Sequence, residues 1–117
     1  MASERRIEQV NILLKEIIAD ILEREFQFPE GALVTVTRVG SSEDLHYADV
    51  FVSVLGANTE EKIVLAELTR NVGRAQHLVN RRVRMRPVPR ITFKIDEDEK
   101  RRERIEEILA RDQRPKH

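Results

Sequence analysis

The stretch RNVGRAQHLVNRRVRMRPVPRITFK, Arg70 to Lys94, carries Arg70, Arg74, Arg81, Arg82, Arg84, Arg86, Arg90 and Lys94 without one carboxylate. Over the whole chain Lys+Arg 21 balance Asp+Glu 21, so the signal is in the distribution of charge and not in its sum. From Leu68 to Ile95 there is no acid at all, whereas residues 1 to 69 are richer in acids than in bases. Like charges this close repel. With no carboxylate nearby in sequence to pair them, an external polyanion would relieve the repulsion, and phosphate is the obvious chemistry. Arg70, Arg74, His77 and Arg81 step by four, three and four, which strings them along one side of a helical segment opposite Ala75, Leu78 and Val79. Arg82, Arg84 and Arg86 then carry the same sign along what reads as an extended chain. The plainer reading is a solvated charged face.

Other residue types offer less. There is no cysteine, which excludes disulfides, thiolate metal sites and a cysteine nucleophile, and a reducing compartment suits everything present. His46, His77 and His117 show no ligand spacing, so no metal is expected. Ser41, Ser42, Asp44 and His46 are too close in sequence to present nucleophile and base to each other, and an Asx-type turn explains them. Gly73 stands outside any phosphate-cradling glycine pattern and reads as a kink residue tolerating unusual backbone angles. The DEDE run from Asp96 complements the positive end of a helix dipole without any ligand. Phe26, Phe28, Tyr47, Phe51 and Phe93 all fall outside Arg70–Arg90, so stacking of bases as on RRM sheets is not expected, and backbone and shape recognition of folded RNA fits better.

The elements that would hold this face are legible from periodicity. Ile7, Val10, Leu14, Ile17, Ile18, Ile21 and Leu22 predict a long amphipathic first helix ending before Pro29, with PEG as a turn. ALVTVTRV and YADVFVSVL read as two antiparallel strands joined by the loop GSSEDLH, the second alternating Ala48, Val50, Val52 and Val54 inward. Asn58 is the expected cap of a second helix with Glu61 at its third position and Ile63, Ala66 and Leu68 opening the apolar stripe. A third helix follows at the Gly73 kink. Two prolines lead into the strand ITFKI, parallel to the second strand because two helices intervene. No signal-peptide core or membrane span can be drawn in the charged amino end, which points to the cytoplasm.

Helix, two strands, helix, kink, helix, strand is the order of a type II KH domain lacking the GxxG loop. The expected fold is therefore α+β, a KH-like domain over residues 1–96 with a three-stranded mixed sheet and helices on one face. A short, partly docked charged helix and a frayed tail over 97–117 would follow. The segments EQVNILLKEIIADILEREF, VTVTRVGSSEDLHYADVFVSVL and LTRNVGRAQHLVNRRVRMRPVPRITFKID resemble the ribosome-binding factor A family, most specifically at Ser42, Asp44, Leu45 and Ala48 and from Arg84 to Asp96. That family replaces GxxG by an Ala-x-Gly kink, for which Asn71, Val72 and Gly73 stand here. The resemblance implies a non-enzymatic assembly factor of the small (30S) ribosomal subunit that assists late 16S rRNA maturation and supports growth in the cold. Its RNA-binding set would be Arg70, Asn71, Gly73, Arg74, His77, Arg81, Arg82, Arg84 and Arg86. No cofactor, membrane or small-molecule substrate is expected, and the protein is expected to be a monomer. The alternative is a protein-interaction module that uses the charged C-terminal helix, with RNA secondary.

Overall fold

In the computed structural model the described residues are 2–56 and 61–112. Helix α1 spans Glu4–Glu25, opened by Ser3, whose hydroxyl accepts from the Arg6 N–H at 3.2 Å. Its spacing buries Val10, Leu14, Ile17, Ile18, Ile21 and Leu22 against the sheet and α3. Each such side chain contributes roughly 1.5–3 kcal/mol relative to exposure. Ala32 N–H then bonds Pro29 O at 3.0 Å to close the expected turn, with Gly31 at φ 84°. Gly56 meets that turn, and a Cβ there would overlap the Gly31 carbonyl. Only glycine fits both its positive φ and that approach.

Strands β1 (Leu33–Ser41) and β2 (Tyr47–Leu55) pair antiparallel, and β3 (Arg90–Ile95) lies parallel to β2, in the order β1-β2-β3. Ala48, Val50 and Val52 face the core from β2, and Ile91 and Phe93 from β3. On β1 the buried Val36 and Val39 break strict alternation, because the register skips Thr37 between Val36↔Val52 and Arg38↔Phe51. That bulge re-aims the Thr37 hydroxyl, which donates to Asp96 Oδ2 at 2.5 Å.

The crossover from β2 to β3 is made by α2 (Glu61–Arg70) and α3 (Val72–Arg82). The cap expected at Asn58 lies outside the described residues. The buried stripe of α2 is Val64 and Leu68, not the expected Ile63 and Ala66, both of which are exposed. Val64, Leu68, Ala75 and Val79 are fully buried, which fixes which sides of α2 and α3 remain open.

Helix α4, Glu97–Asp112, is longer and less docked than expected, with Ile105, Ile108 and Leu109 each about half exposed. Its start is nevertheless well held. Asp96 Oδ1 accepts from the Glu99 N–H at 3.0 Å, Asp96 O accepts from the Lys100 N–H, and Lys100 pairs with Glu61 at 3.0 Å. The expected capping role of the acidic run is thus met, with Asp96 as cap and Glu97, Asp98 and Glu99 in the first turn. The expected tail, 113–117, lies outside the described residues.

Candidate nucleic-acid interface

The break between α2 and α3 falls at Asn71, not at Gly73. Asn71 Nδ2 donates to Glu67 O at 2.8 Å and to Glu67 Oε1 at 3.0 Å, and the Asn71 N–H also bonds Glu67 O. The side chain thus caps the end of α2 and is not available to cap α3, which it opens at φ −105°, ψ 16°. Gly73 sits in the first turn of α3 with a negative φ, and a Cβ there would meet nothing within 4 Å. The unusual backbone angles expected of it are not found. What Gly73 supplies is an exposed stretch of helix with no side chain.

Arg74, His77 and Arg81 lie exposed on α3, opposite the buried Ala75 and Val79, as their spacing predicts. Arg70 belongs to α2 and is exposed on the other side of the Asn71 break. The stretch is not, however, without carboxylates in space. Arg70 pairs with Glu67, Arg74 with Glu25 at 3.0 Å, and Arg82 with Asp20 at 2.8 Å. Asp20 also takes Arg24 at 2.8 Å, so two arginines converge on it from α1 and α3. The hydrogen bond from Arg82 is the largest influence holding the Asp20 carboxyl below its ordinary pKa. The α1–α3 seam is therefore laced by exposed ion pairs, which contribute little to stability but hold Arg74 and Arg82 toward α1. Sequence reasoning missed these partners, although Asp20 and Glu25 both lie on the first helix, outside its apolar stripe.

Arg81, Arg84, Arg86 and Arg90 have no carboxylate within ion-pair distance among the described residues. All four are exposed. The segment between α3 and β3 is not the extended chain expected. Val83 closes α3 through its N–H to Val79 O, the chain bends over residues 85–87, and Arg86 Nη1 donates to Val83 O and Met85 O, each at 2.8 Å. Those two carbonyl contacts turn the arginine back on the bend and fix its guanidinium.

A second feature adjoins this bend, a groove of about 700 Å³ lined by His46, Tyr47, Gln76, Asn80, Arg86 and Arg90 among others. Tyr47 and Arg90 open β2 and β3 as register partners, so the parallel pairing brings an aromatic ring beside the arginines that no aromatic accompanies in sequence. The Ser42–His46 turn is the Asx turn expected. Asp44 Oδ1 accepts from Ser42 Oγ at 2.7 Å and from the His46 N–H at 3.0 Å, and Ser42 Oγ accepts from the Tyr47 N–H at 3.0 Å. The Ser42 hydroxyl first, and then the His46 N–H, hold the Asp44 carboxyl below its ordinary pKa. Leu45 occupies the left-handed region at φ 59° while its side chain is buried, a strained conformation that this bonding holds in place. Among the described residues no group of three acidic or histidine side chains could hold a metal ion, and no helix is long and apolar enough to cross a membrane.

The element order, the mixed sheet and the helix–Asn71–helix crossover in place of a GxxG loop define a KH-like domain. Residues 6–109 match the family described as Ribosome-binding factor A, and the chain belongs to that family. The Ribosome-binding factor A of Natranaerobius thermophilus is 41% identical over 107 residues, covering 92% of this chain and 82% of its own. The crystal structure of ribosome-binding factor A from Thermus thermophilus is similar with a TM-score of 0.61 at 33% identity, over 76% of this chain and 94% of that one. A Thermus thermophilus RbfA homology model fitted into a cryo-EM map of a 30S–RbfA complex gives 0.62 at 32% identity, over 72% of this chain and 88% of that one.

Proposed function

We propose that the protein is a non-enzymatic ribosome assembly factor that binds the immature 30S subunit in the cytoplasm and assists late 16S rRNA maturation, supporting growth in the cold. The observation that carries this reading is the set of exposed arginines with no carboxylate partner among the described residues, Arg81, Arg84 and Arg86, on and just beyond a helix whose other side is locked into the core. Phosphate oxygens would supply the acceptors that Arg81 and Arg84 lack, while Arg86, held at Nη1 by Val83 O and Met85 O, would offer its remaining donors. Arg70, Arg74 and Arg82 join the face with their charge partly neutralised, His77 adds a donor, and Asn71 and Gly73 shape it, Gly73 by letting a backbone come close. The Thermus thermophilus relative fitted into a 30S complex supports the choice of partner. Chemical footprinting of rRNA on purified small subunits, free and joined to large ones, tests it. Protection confined to free small subunits is expected, and equal binding to both would sink the reading.

One observation favours a second role alongside it, with residues 1–96 as the RNA-binding domain and the segment from 97 as a docking helix. The Ile105, Ile108 and Leu109 stripe of α4 is uncovered. Partners that persist in a pull-down after nuclease digestion, and vanish when α4 is removed, would assign it to protein contact.

A further inference from the structure

We infer that the groove at the start of β2 and β3 holds one unstacked nucleotide of single-stranded RNA, with Tyr47 as the stacking platform and Arg86 and Arg90 as phosphate partners. This rests on the RNA-binding reading above and goes beyond it, from phosphate recognition by a helical face to capture of an individual base. The groove's volume of about 700 Å³ lies within the roughly 300–1,000 Å³ typical of small-ligand clefts.

Three observations point to a nucleotide rather than to a bare anion. Tyr47 is 60% exposed, whereas Phe26 and Phe93 are buried and Phe28 and Phe51 half-buried, so among the tyrosine and phenylalanine rings it is the one offering a free face. Arg86 and Arg90 flank the same groove with no carboxylate partner among the described residues, so phosphate recognition and a stacking surface coincide. The walls are also built before any ligand arrives. His46 and Tyr47 are fixed by the Asx turn on one side, and the Arg90 N–H bonds His46 O at 2.8 Å on the other. Gln76 ties α3 to β3 by donating to Pro89 O at 3.1 Å and accepting from the Ile91 N–H at 2.8 Å. It also donates to Asn80 Oδ1 at 3.0 Å, which turns the amide N–H₂ of Asn80 away from Gln76 as a donor for a base edge. Preorganisation of this kind lowers the ordering cost of binding.

The chain has a single tyrosine and no tryptophan, so intrinsic tyrosine emission reports on Tyr47 alone. Titrating the full chain with a short single-stranded RNA of mixed sequence is expected to quench that emission saturably, and a duplex of equal charge to quench it less. Emission unchanged at RNA concentrations that saturate binding by anisotropy would overturn the proposal without any mutant. On free small subunits, Tyr47→Thr, which keeps a strand-forming residue at an exposed position, is expected to weaken binding about tenfold with an unchanged salt slope. Tyr47→Phe should stay within about twofold of the parent, and Arg90→Ala should weaken binding and make the slope shallower by about one. Equal losses in Tyr47→Thr and Tyr47→Phe would assign the tyrosine to a hydroxyl contact and overturn stacking. Parental binding by Tyr47→Thr, while Arg81→Ala/Arg84→Ala binds weakly, would remove the groove and leave the phosphate-binding face intact. Parental binding by both would remove the proposed function as well. A protein retained after nuclease treatment and released by Tyr47→Thr, with RNA affinity unchanged, would give the groove to a protein and overturn the nucleotide.

Discussion

Asp96 shows how one side chain couples three elements. It is 4% exposed, receives the Thr37 hydroxyl from the β1 bulge, caps α4 through the Glu99 N–H, and lies 3.4 Å from the Arg38 guanidinium. Burial alone would raise its pKa. The Thr37 and Glu99 donors and Arg38 outweigh burial and hold the carboxyl below its ordinary value. A depressed folded pKa stabilises the fold above the unfolded-state value of about 3.9, and that stabilisation is lost as pH falls through the folded pKa. In urea melts the stability gap between the parent and Asp96→Asn should therefore be largest near neutrality and narrow once pH drops below about 4. A gap independent of pH over that range would mean that the charge of Asp96 is not what matters. Gly73 carries the second expectation at this scale. Because its φ is negative and a Cβ would meet nothing, Gly73→Ala should raise stability by up to about 1 kcal/mol. If RNA approaches the helix backbone there, the same variant should lose subunit affinity, and a variant both more stable and fully binding would show that no such approach occurs. The sequence made the Ser42–Asp44 turn readable because its partners are two residues apart. It misplaced the α2–α3 break, because glycine is the stronger punctuation mark in sequence whereas the break depends on where the Asn71 amide finds a carbonyl.

Among the elements, α1 and β2 were legible from a sustained apolar period, and the parallel placement of β3 from the two helices that intervene. The β1 bulge was not, since the one-residue register skip lets both Thr37 and Arg38 reach Asp96, a residue 59 positions from Thr37 that no local pattern ties to them. The stripe of α2 was also misread. Ile63 and Ala66 fit an apolar pattern, but the path of the crossover over the sheet selects Val64 and Leu68 instead. Helix α4 was expected to dock in part, and its apolar residues found no receiving surface. A chain ending at Arg104 keeps the Asp96 cap and the Lys100–Glu61 pair, and the side chains it removes from Ile105 to Arg111 are all exposed. Its urea midpoint should correspond to a change below about 1 kcal/mol. A larger loss would show that the stripe packs onto the domain in solution and that the division near residue 96 is wrong.

At the scale of the whole molecule, the charge balance of the sequence resolves into two populations of arginine. Arg70, Arg74 and Arg82 are committed to Glu67, Glu25 and Asp20, and phosphate must compete with those carboxylates for them. Arg81 and Arg84 face no such competitor among the described residues. Linear sequence could not separate the two sets, because the acids that make the distinction come largely from α1. Binding of the free small subunit should therefore respond unequally to their removal. Arg81→Ala/Arg84→Ala is expected to lower affinity across RNA sequences, and the slope of log affinity against log salt should become shallower by about two. Arg74→Ala/Arg82→Ala removes the same formal charge but also frees Glu25 and leaves Asp20 with Arg24 alone on the same face. Its slope should change by less than that of the first pair, since fewer phosphates are fully neutralised in the parent, while the carboxylate charge so released adds repulsion that weakens binding mainly at low salt. Both variants should melt within about 1 kcal/mol of the parent, because exposed pairs contribute little to the fold. Equal slope changes in the two double variants would mean that the ion pairs to α1 open on binding and that all of these arginines meet phosphate alike.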